Sequence, residues 1–453
     1  MRTGSSWMFL KALSIAPFVV ALVALAGLSG CSDPEEAEAV EPAPVVEPEV
    51  DCSVPAQNER LLALMKDAYL WYDKVPDVDP AAYDSPQALL DDLVFADIDR
   101  WSSIVLKEVS AAYYGEGRRV GLGFRTRFDA DDTLRLSLIY AGSPADDAKL
   151  QRGDRVLAIN NKTIDEIEAQ DLWATVLGPE EEGVDVTMKI ERLGGAVEDI
   201  AMEKRVYEFE TTHTHRVFSH AGKTVGYLLF DRFLSTSGAE LEAVFASFKQ
   251  AGVDELVLDL RYNGGGLIDV AHHLGSLIAA NPSEGELFTR VLHNDKHPNW
   301  NTDQLFIKQK NGLDLQRIFI IATGATASSS ELLINGLFPH IEVRLIGEAT
   351  YGKPVGSGAW TDCDLVIRPI SFRLANAEGR ADYFNGLSPD CFAEDDIDLP
   401  LGNETEASLA EALHFMSYGS CSLHAGPIDL AVEEGRARRT IPWRGLDAEI
   451  DAF

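Results

Sequence analysis

Positive charge is scarce in this chain. Its 39 Lys and Arg stand against 73 Asp and Glu, a formal net charge of −34. Proteins hold a phosphate backbone by neutralising it with Lys and Arg, so this composition argues against nucleic acid as a partner. Acidity on this scale speaks for solubility and says little about fold. Long apolar runs are also missing. Beyond the first 30 residues no stretch is apolar enough to span a bilayer. Two common signatures of a nucleophilic serine, Gly-x-Ser-x-Gly and Ser-x-x-Lys, are absent, and the chain has no internal repeat. Cysteine is limited to 5 residues, and their spacing matches no zinc motif.

The N-terminus departs from this pattern. Arg2 and Lys11 precede an apolar run from Ala12 to Ala26, followed by Leu28-Ser29-Gly30-Cys31. That arrangement reads as a signal peptide over residues 1–30. Its end is similar to the bacterial lipobox, and the resemblance implies cleavage before Cys31, acylation of that cysteine and anchorage at a membrane surface. Ser32 points to outer-membrane sorting by analogy with enteric bacteria. Residues 31–51 are rich in Pro and Glu and carry no basic residue, the composition of an extended tether. The expected setting is a bacterial cell envelope, with the body of the protein facing the periplasm. Cys52, Cys363, Cys391 and Cys421 are even in number and allow three disulfide connectivities. A Cys363–Cys391 bridge and four free thiols are both open.

Hydrophobic periodicity divides the rest. Residues 52–105 read as a small helical domain, with Leu61, Leu62, Met65, Ala68, Tyr69 and Tyr72 on one helical face and a second helix over 85–94. Residues 106–205 turn to short strands with Gly and Asp turns. Here Gly121-Leu122-Gly123-Phe124, and the later run GSPADDAKLQRGDRVLAINNKTI from Gly142 to Ile164, resemble a PDZ domain. In such a domain the Gly-Leu-Gly-Phe loop presents backbone N–H groups to a peptide's terminal carboxylate while the peptide adds a strand to the sheet edge. Arg118 and Arg119, just before the loop, are candidates to add positive charge. Residues 206–400 alternate apolar strands (VGYLLF, ELVLDL, RIFIIAT, VRLIG) with amphipathic helices, which predicts an α/β layer on a largely parallel sheet. Residues 401–453 hold one helix near 404–417 and an irregular tail.

The chemistry centres on Thr323-Gly-Ala-Thr-Ala-Ser-Ser-Ser-Glu331, which ends a buried strand and opens a helix. Unpaired helix N–H groups and the positive end of the dipole would stabilise an oxyanion there. A serine hydroxyl needs a base, and Lys353 in Gly347-Glu348-Ala349-Thr350-Tyr351-Gly352-Lys353 follows the next apolar strand. A lysine acts as base only when neutral, which calls for burial.

Together these segments resemble the carboxyl-terminal processing (tail-specific) serine proteases, in the lipoprotein branch. That family has a Ser-x-Ser-Glu pattern with a lysine 25 residues downstream, the spacing of Ser328 and Lys353. The resemblance implies Ser328 as nucleophile and Lys353 as general base. Asp259-Leu260-Arg261-Tyr262-Asn263-Gly264-Gly265-Gly266 is similar to the family block that supplies an oxyanion-hole N–H, which implies that role for Gly265 or Gly266 beside the N–H of Ser329. The implied architecture is an α/β catalytic core, a layered sheet of the ClpP/crotonase kind. It is joined to a PDZ domain (a β-rich, partly open barrel) and the small N-terminal helical domain. The implied function is endopeptidase cleavage of protein or peptide substrates with no cofactor and no metal. Where many relatives carry a glutamine four residues after the lysine, this chain has Ser357.

Other readings compete. A serine-rich helix start is often only a cap. His213 and His215 share a strand face at metal-ligand spacing without a third ligand nearby, and His272 and His273 offer a base that the lysine motif makes unnecessary. A non-catalytic peptide or apolar-ligand binding protein on the same fold, or a hydrolase for another acyl substrate, are the rival functions.

Overall fold

The computed structural model describes residues 50–129 and 131–423. The expected signal peptide, Cys31, the tether up to residue 49 and the tail from 424 lie outside them. No helix among the described residues is long and apolar enough to cross a membrane.

The apolar runs of the core become central strands because both faces are covered. Leu228, Leu256, Leu258, Ile318 and Ile320 pack into one hydrophobic cluster, while the alternating Tyr227, Leu229, Val257, Phe319 and Ile321 pack into another. Side chains of a strand alternate in direction, so a continuous apolar run fits a sheet buried on both sides. Helices Ser237–Ala251, Ile268–Ser283 and Ser329–Leu337 supply the first cluster and helix Ala407–Tyr418 the second. The sheet orders Thr214–His220, Lys223–Leu229, Glu255–Asp259, Arg317–Ala322, Glu342–Gly347 and Cys391–Phe392 across its width. Its first pair is antiparallel and the rest are parallel. Parallel order brings the C-terminal ends of 255–259, 317–322 and 342–347 to one edge, which is where the loops of interest emerge.

The PDZ region forms its own sheet in the order Phe124–Phe128, Leu134–Ile139, Arg155–Ile159, Asp185–Glu191, Val197–Glu203, leaving 124–128 as an edge strand. Leu138 of this sheet joins the second core cluster together with Tyr140, Tyr207 and Phe209 outside it, so the sheet is packed onto the catalytic layer.

The N-terminal helices span Val54–Ala68 and Pro86–Leu93; Ser85 caps the second by accepting from the Ala88 N–H at 3.1 Å. This region does not build a core alone. Leu61, Met65, Tyr69, Leu89, Leu90, Leu93 and Trp101 share a cluster with Val355, Ile367 and Ile370. Ser103–Leu106 pairs antiparallel with Leu365–Arg368, whose other neighbour is Trp360–Asp362. The expected small helical domain thus ends in a strand donated to a sheet shared with the distant 360–368 hairpin.

The bridges are Cys52–Cys363 and Cys391–Cys421, which corrects the Cys363–Cys391 alternative. Cys391 sits on the last strand of the core sheet, beside the segment leaving helix Ala407–Tyr418, whereas Cys363 lies in the turn of the 360–368 hairpin against the N-terminal helices. The two cysteines belong to different sheets.

Candidate active site

The loop after strand Arg317–Ala322 turns sharply into helix Ser329–Leu337, and the turn falls on Ser328 with φ +53° and ψ −114°. A non-glycine residue in this region is strained, and such a strand-to-helix elbow lifts a side chain out of the sheet edge. The elbow is laced to the 260–266 block by hydroxyls. Thr326 Oγ1 donates to Leu260 O (2.8 Å), Ser329 Oγ to Gly266 O (2.6 Å), Ser330 Oγ to Asn263 O (2.9 Å), and Thr323 Oγ1 to Arg261 O. The three adjacent serines therefore differ. Ser329 and Ser330 are fully buried and their hydroxyl protons are committed to carbonyls, whereas Ser328 is partly exposed.

Glycine is required opposite the elbow. Gly265 has φ +105°, and a Cβ there would lie 2.8 Å from Ser328 Cβ and 2.9 Å from both Ala327 O and Ser329 N. Gly266, at φ +134°, abuts the Phe233 backbone, with a Cβ falling 2.2 Å from Phe233 O. The sequence left open which glycine N–H would serve an oxyanion. The Gly265 N–H donates to Asn263 Oδ1 (2.9 Å), while the bonds between this block and Phe233 run through Gly265 O and the Leu267 N–H. None of these uses the Gly266 N–H. The N–H of Ser329, first residue of its helix, is among the donors a helix leaves unpaired.

The block itself is rigid. Arg261, fully buried, is held by Asp259 (3.0 Å), Asp395 (2.8 Å) and Glu406 (2.8 and 3.0 Å). Burial alone would raise the Asp395 carboxyl, but the guanidiniums of Arg152, Arg261 and Arg127 hold it well below the usual carboxylate range.

Lys353 is 8 % exposed, with Nζ 6.0 Å from the Trp101 ring centroid. What joins it to Ser328 is Glu331, which the sequence offered only as a letter of the motif. Its fully buried carboxylate accepts the N–H of Ser328 (3.0 Å) and of Lys353 (2.8 Å) on one oxygen. The other oxygen accepts the N–H of Gly352 (2.7 Å) and the Thr350 hydroxyl (2.5 Å). Burial pushes this carboxyl up to about 7, against the four donors that favour its charged form. A helix-start glutamate that normally caps its own backbone here also fastens the lysine turn. Tyr351 adds a further tie, its N–H donating to Thr326 O at 3.0 Å. Ser357 lies on strand Val355–Ser357, opposite Ile370 beside a register shift.

The PDZ residues stand apart from this edge. Leu122 is buried in the PDZ core, Phe124 packs at its margin, and Gly123 has φ +80° with no room for a Cβ, which would fall 2.0 Å from Ser143 Cβ. Gly121 closes strand Arg118–Gly121, which pairs with Arg205–Glu208. Arg118 pairs with Glu116 and Arg119 with Glu180 (2.6 Å), so each expected cation already has a carboxylate. Edge strand 124–128 instead faces the core through Arg125, 3.3 Å from Asp231, and Arg127, bonded to Glu348 ahead of the lysine turn. His213 lies 3.8 Å from Asp231, His215 meets Phe248 edge-on, His272 bonds Leu305 O, and His273 approaches Glu242. None of them joins Ser328.

Family models match residues 56–103 (peptidase S41 N-terminal domain), 135–192 (PDZ domain) and 224–391 (peptidase family S41). The carboxy-terminal processing protease CtpA of Bacillus subtilis (strain 168) is 23% identical over 287 residues, 63% of this chain and 57% of the relative. The carboxyl-terminal-processing protease of Synechocystis sp. is 24% identical over 239 residues, 52% of this chain and 53% of the relative. The chain thus spans little more than half the length of these relatives. Among solved structures, a protein of Bacteroides fragilis NCTC 9343 assigned to the S41 proteases aligns over 82% of this chain and 99% of its own, with TM-score 0.64 and 27% identity. The photosystem II D1 C-terminal processing protease shares the fold at TM-score 0.52 and 19% identity, over 81% of this chain and 99% of its own.

Proposed function

Because this chain belongs to peptidase family S41 and carries a PDZ domain, we propose that it is a serine endopeptidase in which Ser328 is the nucleophile and Lys353 the general base. The observation that carries the proposal is the single Glu331 oxygen bonded to the backbones of both residues. The partial exposure of Ser328 between buried, committed hydroxyls supports the same choice.

In this reading Ser328 Oγ attacks the scissile carbonyl carbon and its proton passes to the neutral amine of Lys353. The oxyanion is received by the N–H groups of Gly266 and Ser329. Collapse breaks the C–N bond, Lys353 protonates the departing amine, and water then releases the acyl-enzyme by the same route. Ser and Lys supply the nucleophile and the base without a cofactor. The substrates are proteins or peptides whose C-terminal tails are recognised, or whose access is gated, by the PDZ domain. Support for this comes from the edge position of strand 124–128 in its sheet and the tight Gly123 turn, the features that strand addition of a peptide calls for.

We further propose lipid anchorage at Cys31 in a bacterial envelope. The lipobox-like sequence supports it, and two disulfides support an oxidising compartment. Replacing Cys31 with Ala should move the protein from the detergent phase to the aqueous phase; unchanged partition sinks the anchor.

The test of the activity is cleavage of an unfolded protein with an apolar C-terminal tail by wild type, Ser328→Ala and Lys353→Ala. Cutting by wild type alone supports the dyad. Cutting by either variant overturns it, and a silent wild type that still binds the tail favours the binding-protein reading.

A further inference from the structure

Arg100 is a cation close to the lysine turn that the mechanism above leaves without work. Its guanidinium is exposed, yet it is held in a fixed place: Cζ lies 4.7 Å from the Trp101 ring centroid and 4.8 Å from that of Tyr351, and Nε donates to the Tyr351 hydroxyl at 2.8 Å. Stacking on two aromatic faces and one hydrogen bond restrict a side chain that is otherwise rich in rotamers. Among the described residues no carboxylate lies within ion-pair distance of it. The adjacent Asp99 cannot serve, because it is buried and accepts from Trp101 N, Ser102 N, Ser102 Oγ and Tyr69 OH.

Its position is on the wall of the site. Trp101, one of its two ring partners, is the ring 6.0 Å from Lys353 Nζ, and it stacks on Phe384. Tyr351, the other partner, is two residues from Lys353 and bonded to the elbow through Thr326. The Trp101 indole N–H is buried without an acceptor, so this wall carries a second unmatched donor. With Nε taken by Tyr351, the two terminal nitrogens of Arg100 remain as a planar fork, a shape matched by a carboxylate. In a chain of net charge −34, an acidic group on a substrate meets general repulsion, which makes one unpaired, fixed guanidinium beside the lysine turn selective.

Building on the Ser328–Lys353 reading, we propose that Arg100 is a specificity determinant, the subsite that receives a carboxylate of the substrate near the scissile bond. The carboxylate is either an Asp or Glu side chain or the free C-terminal carboxylate of a short substrate, and two experimental arms separate these sources. In one, peptides with a single scissile bond carry Glu or Gln at each flanking position in turn; in the other, the C-terminus is a free acid or an amide. The full-length protein is expected to prefer the acid in one arm by about tenfold in kcat/KM, and Arg100→Gln to bring that ratio close to 1. Arg100→Glu should reverse the preference toward a Lys-bearing peptide.

A variant that loses turnover while keeping the acid-to-amide ratio would mark Arg100 as a prop for Tyr351 and overturn the proposal. So would the absence of an acid preference at every position and at the C-terminus. If no peptide is cut by the wild type, the protease reading fails separately. The ratio is then read from fluorescence anisotropy of the same labelled peptides bound to Ser328→Ala and to Ser328→Ala/Arg100→Gln, where equal Kd values for acid and amide in the former refute the subsite.

Discussion

Glu331→Gln is the substitution that tests the site most directly. Glutamine has nearly the same shape but only one acceptor oxygen, whereas Glu331 accepts from four donors, two on each oxygen. If the new carbonyl faces the Ser328 and Lys353 N–H groups, the new amide faces Thr350 and Gly352. The Thr350 hydroxyl can turn and accept, but the Gly352 N–H cannot, and one buried donor is stranded. The opposite orientation strands two, on Ser328 and Lys353. A stranded buried donor costs about 1–3 kcal/mol, and relief comes by moving the lysine turn away from the elbow. A displacement of about 1 Å between reacting groups lowers turnover by about 10²-fold. The expected result is therefore a loss of about two orders of magnitude in kcat, with peptide KM changed much less. Steady-state cleavage of a fluorogenic peptide reads both, with Thr350→Val as a comparison that removes the hydroxyl donor to Glu331 and also leaves the Leu387 N–H without its acceptor. A Glu331→Gln enzyme retaining kcat within about threefold of wild type would refute the idea that this carboxylate sets the distance between nucleophile and base.

Four other outcomes follow from the geometry. The Glu331 carboxyl, raised to about 7 from an ordinary 4.5, holds its proton in the folded chain over a range where the unfolded chain has released it. Stability from this group is thus greatest at low pH and declines as pH rises from about 4.5 to 7, by on the order of 3 kcal/mol, a slope that denaturant titrations should find in wild type and not in Glu331→Gln. Ser328→Gly, which relieves φ +53°, should be more stable than Ser328→Ala by about 1 kcal/mol in thermal unfolding, although both are inactive. Gly265→Ala puts a methyl 2.8 Å from Ser328 Cβ and should abolish cleavage, whereas an unaffected rate would show that the elbow yields. Removing Cys52–Cys363, which spans 311 residues, should cost about 2 kcal/mol more than removing Cys391–Cys421, which spans 30, on loop entropy.

The strands and helices of the core were legible because each apolar run had to be buried on both faces, and alternation in runs such as VGYLLF carries over directly into the two clusters. The choice of Ser328 from three serines comes from the resemblance, whose register sets a lysine 25 residues downstream, and not from the residues alone; the hydroxyl bonds of Ser329 and Ser330 support the same choice and depend on carbonyls more than sixty residues away. What sequence could not supply was partnership at a distance. Arg119 looked like a spare cation until Glu180, 61 residues on, was seen beside it, whereas Glu116 is only two residues from Arg118; Arg261 depends on Asp395 and Glu406, neither of which carries a local signal. The Cys52 bridge failed to show for the same reason: its partner sits in a hairpin that only strand Ser103–Leu106 brings near.

The hydroxyl lacing of 323–330 onto 260–266 also bears on the making of the molecule. Elbow, glycine block and lysine turn come from three separate crossovers of one parallel sheet, and long-range pairings of this kind form late and together in folding. In the proposed mechanism, Ser328 before then is an ordinary alcohol with neither its base nor its oxyanion donors within reach. On the proposed roles and envelope location, a chain threaded unfolded through a translocation pore would carry the two residues apart, and the proposed cutting power would arrive only with the finished sheet.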